Sequence, residues 1–457
     1  MQVGPGQVPS AALPASFRRL IVAWAGSLTG DGLRVIALPL LAASIDPSAG
    51  AVATVAVAAT LPWLLVAIPA GALVDRLNPA KVMATAHLAR AVATLALVAL
   101  IVSGSLSILA LALVGFVITS AETFADGSAQ SLVVRLVPSA DLERANARFV
   151  TVETIALDMA GPLAAGVLFL LAPWLPFALS TLCFLMAAAT VISIPVPAET
   201  YDVGPHMAGD PSGVDLVVRR GRDAPSGEDG FSDVEPLLEE HVAAESSRGE
   251  VQSPVLQMRR GLQLLVSDPV LRVLVLTVGI MVIANAATDA VLVLYGTRTL
   301  SMSEATYPLL LVAYSIGILA AAALVGHSRS RLRGGRTMIV ALFGISATML
   351  ALGLFPNVAI ALVAYAVMGL AGGTWNVLSA TRRQRRTPKQ MIARVSSAFR
   401  VVAWGVMPVG AALGGVVGEH WGVPAVYVLA GGVIGVLGLI VVRSFAADEP
   451  EPEPVQR

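Results

Sequence analysis

Apolar runs of membrane-crossing length recur from one end of the chain to the other. A bilayer core takes about 20 apolar residues per helix. Runs of that kind fall at 19–44, 50–74, 81–102, 106–134, 144–171 and 174–195. A second series falls at 269–297, 304–326, 336–355, 357–381, 390–417 and 422–444. The pattern predicts an all-α membrane protein with twelve transmembrane helices in two six-helix halves, 19–195 and 259–445. The first run holds Asp31 and Arg34, and no small-residue cleavage site follows it. It therefore reads as a retained span and not as a signal peptide.

The polar positions between the runs set the orientation. The termini and even-numbered connections carry Arg18, Arg19, Arg76, Lys81, Arg135, Arg144, Arg148, Arg329, Arg331, Arg333, Arg336, Arg382, Arg383, Arg385, Arg386, Lys389, Arg394 and Arg443; the odd-numbered connections carry Arg298. Basic loops stay on the cytoplasmic side, so both termini are expected there. Trp174 and Trp421 fall at the expected outer ends, where amphipathic rings favour the interface. The basic residues are 28 Arg and 2 Lys, a bias associated with GC-rich bacterial genomes. The expected location is a bacterial cell membrane. Residues 196–258 hold Gly, Pro, Ser and 13 acids against 4 bases. Such a segment buries too little apolar surface to offset its ordering entropy and is expected to be a disordered cytoplasmic linker. Residues 1–18 and 446–457 are expected to be disordered cytoplasmic ends.

Composition narrows the function classes. Of 457 residues, 56% are apolar and 13% charged, against about 25% charged in a soluble domain. A soluble enzyme is excluded on that ground. Acids and bases balance at 30 each, which gives no basic surface for nucleic acid. The lone Cys183 allows no internal disulfide. His87, His206, His241, His327 and His420 are scattered and show no metal spacing. No Walker motif, GxSxG or Cys cluster is present. The expectation is a non-enzyme without cofactor or metal.

Ionisable residues inside a membrane are costly and ask for a reason. Asp31 lies near the middle of span 1, with Arg34 on the same face at i,i+3. Two readings stand: Asp31 exchanges a proton under the influence of desolvation and Arg34, or the two form a structural ion pair. Span 4 carries Glu122 and Asp126 at i,i+4, again on one face. Two carboxylates in a low dielectric resist joint ionisation, which suits a proton carrier. A structural role for Asp126, as a partner of Arg90 or a helix cap, is the competing reading. Span 5 adds Glu153 and Asp158, whose α-helical spacing would point them about 140° apart. Span 7 adds Asp289 near Asn285, placed to line an outer vestibule or a wetted rim.

The halves also repeat each other. GALVDRLNPAKVM, Gly71 to Met83, matches GHSRSRLRGGRTM, Gly326 to Met338, in its leading Gly, an Arg-Leu pair and a closing base. Ala147-Arg148 precedes Pro162 by the same spacing as Ala393-Arg394 precedes Pro408. Parallel repeats of this kind place a substrate path at their interface.

These features together resemble the major facilitator superfamily. The loop after span 2 looks like that family's Gly-x-x-x-Asp-Arg motif, with Gly71, Asp75, Arg76 and Lys81 as members. Asn78-Pro79 stands where the family usually has Gly-Arg. The resemblance implies a cytoplasmic latch that breaks as the halves rock. AGPLAAG resembles the antiporter signature Gly-Pro-x-x-Gly-Gly through Gly161, Pro162 and Gly166, with Ala165 replacing one Gly. GDGLRVIALPLL, AETFADGSAQ, LVPSADLERANARF and MRRGLQLLVSDPVLR look like the branch with macrolide-efflux and mycobacterial multidrug pumps. The arginine that many drug–proton antiporters carry early in span 4 has no counterpart here.

The resemblance implies a secondary transporter working by alternating access. Its expected activity is proton-coupled efflux of a hydrophobic or amphipathic small molecule, such as a drug, antibiotic or secondary metabolite. A siderophore exporter or uptake carrier on the same fold, or a non-transporting membrane sensor, are the alternatives. The expected partners are the lipid bilayer, the substrate and protons, with the chain monomeric.

Overall fold

A computed structural model describes residues 13–74, 77–138, 141–195, 263, 265–327, 334–387, 395, 399 and 402–446. The sequence readings at Asp75 and Arg76, the linker, and residues 1–12 and 447–457 lie outside them; Ala15 to Arg18, expected in a disordered end, already belong to the first helix, where Phe17 is buried. Among the described residues all regular structure is helical. The N-terminal half comprises α1 (Ala15–Ile45), α2 (Ala49–Leu65), α3 (Ala67–Val74), α4 (Pro79–Val102), α5 (Ile108–Leu136), α6 (Leu142–Glu153), α7 (Gly161–Leu171) and α8 (Leu175–Ile192). The C-terminal half comprises α9 (Pro269–Leu294), α10 (Leu309–His327), α11 (Gly335–Leu354), α12 (Val358–Arg386), α13 (Met407–Trp421) and α14 (Val423–Ala446). Ten helical stretches are long and apolar enough to span a bilayer, and α2 and α10 are shorter apolar helices at the positions of spans 2 and 8.

Local chemistry sets where these helices start. The Asp46 carboxylate accepts the Ser48 N–H at 2.9 Å, which holds it below the usual carboxylate range, and Ser48 in turn caps α2 through the Ala51 N–H at 3.2 Å. Asn78 caps α4 by accepting from Ala80 and Lys81, with Pro79 at the first helical position. The Asn78-Pro79 departure from the family pattern is thus a helix-start signal. Asp268 and Pro269 do the same for α9.

Two described spans of the N-terminal half are broken, and prolines account for both breaks. Span 2 divides at Val66 into α2 and α3. Pro69 has no N–H to return to the Leu65 carbonyl. Span 5 is α-helical in α6 and α7 but π-helical over Thr154–Ala160 between them. Pro162 leaves the Asp158 carbonyl without its usual donor. Ser315 of α10, in the other half, donates to that carbonyl at a long 3.5 Å. The π turn starts between Glu153 and Asp158: Glu153 is exposed, and Asp158 enters the cavity described below, so one of the two faces it.

The halves meet along α2 and α13. Gly418 lies so near Ala49 that a Cβ on it would come within 2.9 Å of the Ala49 Cβ, and Gly415 faces Ala53 just as closely. Small residues of this kind let helix backbones approach. The Gly50 N–H donates to Glu419 Oε2 at 3.1 Å across this seam, and Trp63 packs on Trp404 with ring centroids 5.5 Å apart. A second contact joins the ends of spans 5 and 8. A Cβ on Gly166 would stand 2.6 Å from the Glu304 carbonyl oxygen. The Gly418, Gly50 and Gly166 contacts lie at the end of the molecule remote from the Arg-rich connections, and the Trp63–Trp404 contact lies about 21 Å further along.

Candidate functional site

The sequence around Asp31 explains how a carboxylate comes to be buried inside a membrane bundle. Glycines flank it on both sides. Gly30 admits the Phe184 ring of α8, since a Cβ there would lie 2.8 Å from Phe184 Cε1. Gly32 admits the π segment, where a Cβ would lie 2.8 Å from the Leu157 carbonyl oxygen. Gly161 meets Gly32 from the opposite side, with 2.6 Å from its would-be Cβ to the Gly32 Cα. The Gly30 carbonyl is bonded by Ser180 Oγ at 2.9 Å. Asp31 is consequently only 2% exposed.

A charge so placed needs partners, and four side chains supply a balanced set. Asp31 accepts a short hydrogen bond from Arg90 Nη2. Arg34 Nη2 lies 3.4 Å from Asp31 Oδ1 and 2.7 Å from Glu122 Oε2. Arg90 Nη2 also lies 3.9 Å from Glu122 Oε2. Ser27 Oγ and Thr119 Oγ1 accept from Arg90 and Arg34 at 3.0 and 3.4 Å. The Arg90 guanidinium stacks over Phe184, 4.1 Å from the ring centroid, a cation–π contact strengthened by desolvation. Two carboxylates face two guanidiniums, so the cluster is neutral when all four are charged.

Arg90 is the member whose main partners the sequence does not reveal. It is 0% exposed and makes its ion pairs with Asp31 and Glu122, while its charge also acts on Asp126. An arginine amid the apolar run of span 3 was the signal that a buried acid lay opposite it. Asp126 sits one turn from Glu122, half-buried, with no ion pair within 4 Å among the described residues, though the Arg90 charge reaches it. His87, one turn before Arg90, is fully buried and lies parallel to Phe184 with centroids 6.5 Å apart.

A second polar site lies between the halves. A cavity of about 410 Å³ is walled by α1, the π segment, α9, α10 and α12. Asp158, Asn285, Asp289, Tyr307, Tyr314 and Tyr365 line it, and most of the remaining wall is apolar. Tyr307 Oη donates to the Ile36 carbonyl at 3.2 Å, which ties α1 to the other half. Tyr365 Oη and Tyr427 Oη lie 3.1 Å apart. Asn285 and Asp289, expected at an outer vestibule, therefore share an internal chamber with Asp158. The tyrosines went unnoticed in the sequence, because nothing in their spacing singles them out.

The latch residues are less fully seen. Gly71 and Lys81 are exposed, and nothing lies within 4 Å of a Cβ built on Gly71. In the span 5 motif, Gly161 packs within its own half and Gly166 against the other half, with Pro162 buried between them.

Two helical halves, with ionisable groups at mid-span and a chamber between them, define a multi-pass membrane protein built to carry a solute. The sequence profile of the Major Facilitator Superfamily matches residues 20–411. The chain belongs to that superfamily, and it is a membrane transporter in class. No curated protein sequence matches it significantly. Solved structures share the fold. A POT family transporter in complex with 5-aminolevulinic acid superposes with a TM-score of 0.68 at 11% identity, covering 95% of this chain and 96% of that one. A bacterial homologue of the iron transporter ferroportin in an inward-facing state gives 0.65 at 14% identity, covering 94% and 99%. A nucleoside transporter gives 0.62 at 12%, covering 94% and 100%. At such identities the likeness shows the fold alone.

Proposed function

We propose that the protein is a proton-coupled exporter of a hydrophobic or amphipathic small molecule, working by alternating access from a bacterial cell membrane. The observation that carries this reading is the balanced ion cluster at mid-span with Asp126 beside it, outside ion-pair distance of the described bases. A proton taken by Asp126 or Glu122 changes the charge that Arg34 and Arg90 must meet. Guanidiniums released from one carboxylate turn to another, and that exchange biases which end of the transporter is sealed. With the basic connections on the cytoplasmic side, the α2–α13 seam closes the outer end, and the arrangement is an inward-facing state.

The chamber supports a largely apolar cargo. Beside Asp158, Asn285, Asp289, Ser315 and three tyrosines its walls are apolar, which suits an amphipathic molecule better than a sugar. The similar structures act on unrelated solutes by their descriptions, so they do not choose among cargoes. The branch resemblance in spans 1, 4 and 5 supports efflux over uptake.

Reconstitution tests the reading. In proteoliposomes with an imposed pH gradient, a lipophilic cation or a macrolide is expected to move against its own gradient, and collapsing the pH gradient should stop it. Flux that ignores the pH gradient removes proton coupling. Glu122→Gln and Asp31→Asn are expected to abolish gradient-driven flux.

A further inference from the structure

The chamber between the halves has a charge pattern that the ion cluster lacks. Asp158 enters it from the N-terminal half and Asp289 from the C-terminal half. No lining residue is basic. Neither carboxylate has a basic partner among the described residues. Arg34, next to the wall residue Val35, is occupied by Asp31 and Glu122. Asp289 is open to the chamber although it lies deep within the bundle.

The rest of the lining favours the same kind of guest. Tyr307, Tyr314 and Tyr365 contribute aromatic surface, and aromatic faces attract cations, more strongly where water is excluded. Val35, Ile318 and Met368 add apolar wall. A volume of about 410 Å³ falls within the range of small-molecule sites. Carboxylates left uncompensated in a low dielectric are costly, so the complementary ligand brings positive charge to both walls.

We propose that this chamber binds an amphipathic organic cation anchored on Asp289 and reaching Asp158, and that a dication is preferred to a monocation of the same ring system. A monocation compensates one wall and leaves the opposite carboxylate without a counter-charge. A dication compensates both. Because the two walls belong to different halves, it also bridges them. The proposal rests on the reading of the protein as a carrier of small molecules, but it requires neither proton coupling nor outward direction.

The test is equilibrium binding to the full-length protein in detergent at pH 8. Three probes are compared: a bis-pyridinium with a short alkyl linker, an N-alkylpyridinium, and an uncharged alkylpyridine. The bis-pyridinium is expected to bind at least tenfold more tightly than the monocation, and the uncharged probe should not compete. Asp289→Asn should weaken the bis-pyridinium at least tenfold, and Asp158→Asn should reduce it to the affinity of the monocation. Equal affinity for dication and monocation, or competition by alkylpyridine as effective as that of the cations, overturns the proposal. Should a variant fail to fold, the three-probe comparison on the wild-type protein decides alone. Failure here is separable from failure of the exporter reading. If cations bind in order of charge yet no pH gradient drives their flux, proton coupling falls and the site stands. If a pH gradient drives flux of an uncharged cargo and no cation binds, the site falls and coupling stands.

Discussion

The interior holds two groups of acids, and they differ in how their charge is met. Asp31 and Glu122 face Arg34 and Arg90 within one half, closely packed and neutral as a set. Asp158 and Asp289 face each other's half across a cavity with no base on its walls. The first group is complete without a ligand. The second becomes complete only when something positive enters. Architecture and recognition are thereby divided between two places, and Asp126 stands at the edge of the first group with the incompleteness of the second.

The largest effect that would break this contrast is removal of the central base. Arg90→Met leaves Asp31 and Glu122 buried with one guanidinium between them. It is expected to cost about 3–5 kcal/mol of stability, read as a loss of folded protein in thermal unfolding in detergent. Adding Asp31→Asn should restore part of it. Wild-type stability in Arg90→Met would show the cluster to be no structural unit. A smaller loss, about 1–3 kcal/mol, is expected from Gly32→Val, whose side chain meets the Leu157 carbonyl; the same unfolding assay reads it. Asp126→Asn should leave stability within about 0.5 kcal/mol while gradient-driven flux in proteoliposomes falls at least tenfold. Unchanged flux would move the proton to another acid. The smallest expected effect is at the seam. Glu419→Gln weakens a carboxylate contact at the α2 N-terminus worth about 0.5 kcal/mol. That shifts the sealed-to-open ratio about twofold, measurable as faster labelling of a cysteine at Ala53 in a Cys183→Ser background.

Much of the fold was legible in the pattern of apolar runs, because bilayer thickness imposes a length that few other constraints do. Asp31, Arg34 and Glu122 were legible for the same reason: charge in an apolar run stands out. Spacing along one helix could not reveal that Arg90, on another, meets Asp31 and Glu122. The joining of Asp158 with Asp289 depends on the docking of two halves, which no local pattern encodes. The π turn over Thr154–Ala160 was likewise hidden. Pro162 announces a disturbed helix, but not which turn takes up the extra residue. Asn78-Pro79, read as a blemish in a motif, is a cap whose meaning follows from the helix it begins.

The glycines of α13 carry one further consequence. Gly410 and Gly414 turn toward α9, while Gly415 and Gly418 turn toward α2. The helix thus presents small residues to both neighbours, with Glu419 as the long side chain that reaches across to Gly50 of α2. Interlocked ridges must be lifted past one another before two packed helices can slide. A smooth flank sets no such detent. Span 2 meets such a glycine flank on span 11, and the Gly50–Glu419 bond and the Trp63–Trp404 pair are the contacts that hold the two in register.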